Sequence, residues 1–268
     1  EELGPAEVRS FDANLSLPFV REAHRHLDEA LRFGGFPEVL SATSDEERVE
    51  LLRKYRDTYF TRDLAQLANL ENATGLLAVL HHLGRSIGST TEVSGVARAS
   101  GLSHPTAKKY LSVLALSDLT YSLLGYHHGP VKRYVRASKT YFADPGILTA
   151  LGIETSEGQK FENFVVGDFE KRRKLGLLPA EGLYYHRSVG GAEIDLIVEL
   201  SDQVWAIEIK ATRNLDRGDL RNLRDFRLAG NARRALRKFV IYRGEETTRD
   251  GDILAVPVAA LWQGTPSL

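Results

Sequence analysis

The chain has 268 residues, with 35 Lys and Arg against 36 Asp and Glu, a formal net charge of −1, 43% hydrophobic residues, and neither Cys nor Met. This length suits one large domain or two modest ones with a proper apolar core, and the missing cysteines exclude a disulfide framework, a thiol nucleophile and a Cys-based zinc site. No apolar run approaches the ~20 residues of a membrane span and no basic-then-apolar leader opens the chain, so a cytoplasmic protein with no membrane partner is expected. The sequence begins at Glu1 without any methionine, which leads us to expect a longer parent protein whose start codon lies outside these residues.

Apolar spacing predicts a helix over 17–33, with Phe19, Ala23, Leu27, Ala30 and Leu31 as its stripe, ended by Gly34-Gly35-Phe36-Pro37. A second helical pattern runs over 45–70 through Val49, Leu52, Tyr55, Tyr59, Phe60, Leu64 and Leu67, and a third over 72–87. His24, His26, His81 and His82 lack carboxylates at metal-ligand spacing and read as exposed or packed side chains. From Thr91 to Ser100 a short helix is expected, then a turn at Gly101-Leu102. A new helix capped by Ser103 follows, with Pro105 in its first turn. Helix, glycine turn and polar-basic helix form the pattern of a helix-turn-helix. Two β-rich runs, 119–126 and 133–142, flank the basic turn 127–132, which reads as a wing.

After about Gly158 the pattern becomes α/β. It opens with a helix around Phe161, Phe164, Val165 and Phe169, followed by strands over 183–187, 193–200 and 204–211. An arginine-rich helix over 216–229, a buried strand over 238–242 and an edge over 253–258 complete it. The charge is unevenly spread: the first fifty residues are acidic, and basic residues gather in two stretches. One includes Lys108, Lys109, Lys132 and Arg133, the other Arg213, Arg217 and Arg221. These patches read either as a nucleic-acid footprint or as solvated helix faces.

The chemistry concentrates in the predicted hairpin. Strand alternation sets Asp195 opposite in facing to Ile194, Leu196 and Val198, and sets Glu208 and Lys210 opposite to Ile207 and Ile209. Pairing the two strands brings Asp195 and Glu208 onto one face, where two carboxylates repel unless a cation lies between them. Mg²⁺ prefers one or two carboxylates with water and a substrate phosphate, and Lys210 is placed to orient water and neutralise charge on a phosphate. The alternative is a salt-bridged solvent face, which accounts for Glu208 and Lys210 but not for Asp195 interrupting an apolar strand.

The Asp…Glu-x-Lys arrangement resembles the core of the PD-(D/E)xK nuclease superfamily. That resemblance implies catalytic roles for Asp195, Glu208 and Lys210, and adds Glu162, at the matching place in the first core helix. More broadly, five segments resemble archaeal and bacterial AAA-type ATPases that end in the domain of unknown function 4143. They are Gly34-Gly35-Phe36-Pro37-Glu38, Tyr59-Phe60-Thr61-Arg62-Asp63-Leu64, Lys139 to Gly146, Gly158 to Asn163, and Glu193-Ile194-Asp195 with Ile207 to Lys210. The resemblance implies an α/β protein with an all-α amino-terminal part: a helical region over 1–88, a winged helix-turn-helix over 89–150, and a PD-(D/E)xK restriction-endonuclease-like domain over 155–268. It also implies a nucleic-acid partner, DNA foremost, oligomerisation through an ATPase part, and ATP bound only by that part, since this chain contains no G-x-x-x-x-G-K-[ST]. Arg62-Asp63 reads either as reaching toward a neighbouring nucleotide or as an ion pair that orders its helix. Two functions are weighed: a Mg²⁺-dependent nuclease, and a catalytically inactive nucleic-acid- or partner-binding module of an ATPase.

Overall fold

A computed structural model describes residues 15–64, 73–126, 138–188, 190–228 and 234–262, with the side chains of Phe60, Thr61 and Asp63 excepted. The fold is mixed α/β, with helices first and nine strands among the described residues. The chain divides into two compact units: a helical unit of residues 28–123 and 138–167, and a sheet unit of residues 15–27, 124–126 and 168–262.

In the helical unit, α1 (Leu17–Phe33, begun in the sheet unit) ends at Gly34, whose φ of 74° suits glycine. The short α2 (Pro37–Ser41) is an element that periodicity missed; it starts on a proline, whose fixed φ suits a first turn. Helix α3 (Asp45–Tyr55) is capped reciprocally: Ser44 Oγ accepts the Glu47 N–H at 3.2 Å, while the Glu47 carboxylate accepts the Thr43 N–H at 2.8 Å. The helix expected over 45–70 is continuous over its described part, 45–64, and widens into a π-helix over Arg56–Asp63. Residues 65–72 lie outside the described set.

Helix α4 (Ala73–Arg85) buries Leu76, Val79, Leu80 and Leu83 at helical spacing. Thr90 and Thr91 form strand β1, so the next helix, α5, begins at Val93 and runs to Ser100. Gly101 ends it in the left-handed region, and α6 (His104–Leu116) starts on Ser103, whose hydroxyl accepts the Thr106 N–H. The glycine turn and serine cap are where the residue types demand them. Strand β2 (Thr120–Gly125) pairs antiparallel with β3 (Ser138–Phe142), and β1 pairs with β3 on its other side. The predicted wing, including Lys132 and Arg133, lies outside the described residues.

A carboxylate staple closes this unit. Asp144 accepts the Gly35 N–H at 2.8 Å and the Gly146 N–H at 2.7 Å. A Cβ on Gly34 would lie 1.6 Å from Asp144 Oδ1, so position 34 requires glycine, whereas a Cβ on Gly35 would make only ordinary contact at 3.6 Å. Gly146 opens α7 (Gly146–Leu151), a short buried helix also missed by periodicity. Helix α8 (Glu157–Lys174) begins here and continues into the sheet unit.

In the sheet unit, the end of β2 pairs parallel with β4 (Gly182–Arg187). Strand β4 pairs antiparallel with β5 (Glu193–Glu199), and β5 with β6 (Gln203–Lys210). Leu200 N–H bonds Gln203 O at 2.9 Å to close the predicted hairpin turn. Strand β6 then pairs parallel with β7 (Ala235–Tyr242), and β7 parallel with β9 (Ile253–Pro257). The expectation that 253–258 forms an edge is corrected, since β8 (Thr248–Asp250) pairs on the far side of β9. The side chains of the apolar run Ile253 to Val256 are all buried, with Ile253 and Ala255 packed into one core cluster, as in a strand covered on both faces.

The arginine-rich helix expected over 216–229 is also corrected: only Arg221–Asp225 is helical (α9). Asp216 accepts N–H groups from Gly218 and Asp219, and this turn displaces the start of the helix. Leu220, Leu223 and Phe226 anchor the segment against Ile197, Val204, Ala206 and Val240. Each such buried side chain contributes ~1.5–3 kcal/mol, enough to pin a helix this short over one end of the sheet.

Candidate functional site

The hairpin of β5 and β6 positions the predicted acids. Ile194, Leu196 and Val198 are buried as the alternation requires, while Asp195 is half-buried. The regular ladder ends at Leu196 opposite Ile207. One step further, Asp195 turns its carboxylate to the backbone, and Oδ2 accepts the Ile209 N–H at 2.8 Å. A side chain thereby fills the acceptor place that a strand carbonyl fills elsewhere. The strands part at Asp195 and Glu208 without leaving that N–H unsatisfied.

Glu208 sits on the central strand, flanked by Val240 of β7, and is only 2% exposed. Its Oε2 lies 3.0 Å from Lys210 Nζ, while its Oε1 is buried with no hydrogen-bond partner among the described residues. Burial pushes the Glu208 carboxyl above the usual carboxylate range, against the pull of Lys210, Asp195 and Asn222. Lys210 shows the opposite balance. Burial disfavours its charge, but Glu208, Asp195 and Asp219 outweigh that and raise its pKa. A buried oxygen left unbonded costs ~1–3 kcal/mol, and such exceptions concentrate at sites that bind or react.

Asp195, Glu208 and Lys210 are therefore brought together as the alternation predicts. Sequence reasoning missed Asn222 at the start of α9. Its amide donates to Glu193 O at 3.1 Å, beside Asp195, and its nearness lowers the Glu208 carboxyl pKa against the effect of burial. No periodicity marks it, because α9 is only five residues long. A cavity of about 350 Å³ adjoins the same residues, lined by His186, Ser188, Ala192, Glu193, Ile194, Asn222, Asp225, Phe226 and Arg227.

Glu162 lies in the helical unit, where its carboxylate accepts the Tyr141 hydroxyl at 2.7 Å and lies 3.3 Å from Lys139 Nζ, an amine only 2% exposed. Gly88, with φ of 73°, lets that carboxylate approach the backbone: a Cβ there would lie 2.7 Å from Glu162 Oε2. Lys108 and Lys109 stand exposed on α6, and Arg213, Arg217 and Arg221 stand exposed in the segment after Lys210. Among the histidines, His24 is buried and His26 lies 3.0 Å from Glu22 on an exposed face. The Arg62-Asp63 pair involves a side chain outside the described set. No described helix is long and apolar enough to cross a membrane.

The chain matches two family models: the domain of unknown function DUF8612 over residues 24–157, half of the chain, and the domain of unknown function DUF4143 over residues 157–261. It is 31% identical to the uncharacterized protein Rv2008c of Mycobacterium tuberculosis over 242 residues, covering 84% of this chain and 51% of that protein. An uncharacterized Mycobacterium bovis protein matches with the same figures. The uncharacterized protein MJ1544 of Methanocaldococcus jannaschii is 22% identical, covering 66% of this chain and 40% of its own length. The chain thus spans about half the length, or less, of the curated relatives it matches. A helical unit matched by one family model and a sheet unit matched by the other place the chain in the DUF8612 family, with a DUF4143 domain following it.

Proposed function

We propose that this chain is the carboxy-terminal part of a P-loop AAA-type ATPase, and that its DUF4143 domain is a PD-(D/E)xK-like module that hydrolyses phosphodiester bonds in nucleic acid with Mg²⁺. One observation carries the reading: the buried Glu208 oxygen without a partner, beside Asp195 and Lys210. The donor set fits a hard cation, since both acids present oxygen and carboxylates of like charge are stable together when a cation joins them. The metal, when bound to Asp195 and Glu208, supplies Lewis acidity toward a phosphate oxygen.

The rest is the work of the protein. The Ile209 N–H holds Asp195 in place, and burial keeps Glu208 rigid. Lys210, tied to Glu208, presents a positive charge where the phosphate gains negative charge. In the helical unit, α5, α6 and the β2–β3 hairpin serve as a winged helix. Lys108 and Lys109, with Lys132 and Arg133, grip the backbone there, and Arg213, Arg217 and Arg221 do so beside the carboxylates. The resemblance gives Glu162 an assisting role. The relatives' greater length supports a longer parent protein; the ATPase part, through which oligomers form, rests on the resemblance alone.

The test is calorimetric titration with Mg²⁺ and Mn²⁺, followed by incubation with plasmid and single-stranded DNA. Metal binding and metal-dependent scission are expected; scission that survives both Asp195→Asn and Lys210→Ala overturns the assignment. The inactive-module reading has one observation in its favour: among the described residues no group of three or more His, Asp or Glu side chains could hold a metal. On that reading nucleic acid binds but metal does not.

A further inference from the structure

The cavity beside the carboxylate pair is lined by charges of both signs, Glu193, Asp225 and Arg227, so it is no dedicated anion site. Its remaining surface has a different chemistry. His186 and Phe226 meet edge to face with centroids 5.0 Å apart, giving an aromatic wall. Ser188, Asn222 and Asp225 add neutral and acidic hydrogen-bonding groups. At about 350 Å³ the space is of small-molecule size, and a duplex cannot enter it.

Its position gives that chemistry a use. Ile194, in the cavity wall, directly precedes Asp195, and Asn222, in the same wall, is close enough to Glu208 to lower its carboxyl pKa. The wall of this cavity is therefore contiguous with the residues that would hold a phosphate at Asp195, Glu208 and Lys210. The group that a nucleotide chain carries next to its phosphate and sugar is a base: flat, uncharged and edged with hydrogen-bonding groups. An aromatic wall suits its face, and the Asp225 carboxylate suits an exocyclic amine.

We propose that this cavity receives an unpaired, amine-bearing nucleobase next to the phosphate, so that the substrate is single-stranded nucleic acid. This rests on the nuclease reading for the phosphate's place. Unstacking a base costs least in a single strand, and stacking on an aromatic side chain is tolerant of sequence.

The experiment uses the whole chain without metal, so that binding is read apart from cleavage. Fluorescence anisotropy compares a 12-nucleotide oligodeoxyadenylate with a 12-unit abasic strand of equal phosphate count and with a 12-base-pair duplex. The expected result is at least tenfold tighter binding of the adenylate strand than of either competitor. Ala192→Trp fills the cavity from an exposed position and is expected to bring adenylate and abasic strands within about twofold of each other. Equal affinities in the wild type, or a preference unchanged in Ala192→Trp, overturn the proposal. Asp225→Ala gives an independent arm at another exposed position: it is expected to reduce the preference for adenylate over oligothymidylate, and an unchanged preference overturns the role given to that carboxylate. Mn²⁺ titration of the same proteins separates the two readings. Base preference without metal binding sinks the nuclease but leaves the cavity's role standing, whereas metal binding without base preference does the reverse.

Discussion

The carboxylate of Asp195 accepts the backbone N–H of Ile209, 2.8 Å away on the neighbouring strand, and so occupies a position the β-ladder normally gives to a carbonyl. Asp195 is thus both a ladder element and a charge. Asp195→Asn keeps an acceptor for Ile209 and removes the charge. Cleavage is expected to fall by ~10²–10³-fold with an unchanged circular dichroism spectrum, and Lys210→Ala is expected to behave likewise. Turnover of either variant at the wild-type rate contradicts the assignment.

Glu208→Gln is expected to stabilise the metal-free protein. Burial raises the folded-state pKa of Glu208, so the ionised form is the one that folding disfavours. The deficit is complete at pH above that raised pKa and disappears as pH falls toward the ordinary glutamate value. Removing the charge is expected to give about 1 kcal/mol, or ~2–4 °C in Tm. Melting curves of both proteins in chelator across pH 4 to 8 check this: the gap must narrow as pH falls, and a gap that widens contradicts the cause given.

Glu162→Gln takes a carboxylate from beside Lys139, a buried amine. Weakening such a pair costs ~2 kcal/mol or more, so a clear fall in Tm is expected. A cleavage assay on the same variant, below its Tm, separates ordering of the helical unit from the assisting role.

Gly34→Ala is expected to destabilise by ~2–4 kcal/mol, because the new Cβ meets Asp144 Oδ1 and the residue sits at positive φ. Asp144→Asn is expected to cost less, since its amide still accepts one of the two N–H groups. Chemical denaturation of the three proteins ranks them. Gly34→Ala as stable as the wild type removes the staple from the account.

Salt titration tests the basic residues. If Arg213, Arg217 and Arg221 touch phosphates, replacing each by Ala lowers the slope of log K against log salt by ~0.7–0.9 for every phosphate no longer neutralised. The same holds for Lys108 and Lys109. A slope that does not change marks the replaced residue as solvated surface.

Much of this was legible in local chemistry. Ser103 and Gly101 act within a few residues of themselves, so the cap and the left-handed turn could be read where they stand. Strand alternation likewise set Asp195, Glu208 and Lys210 toward one another, because a hairpin with a short turn leaves little freedom of register. What could not be read depends on distant partners. The strand at Ile253 is an exception: the Thr248–Asp250 strand that covers its edge stands only three residues upstream, but it is short, polar and exposed and carries no strand pattern of its own. The arginines after Asp216 have good helical propensity, yet the Asp216 side chain holds the preceding turn out of a helix. Asn222 gains meaning solely from where Leu223 and Phe226 dock.

The staple between Gly35 and Asp144 joins positions 109 residues apart. A ribosome adding ~5–20 residues per second exposes the glycine turn on the order of ten seconds before its aspartate exists. Through that interval the helices on either side of Gly35 lack this latch, and their folded arrangement waits on the segment that carries Asp144.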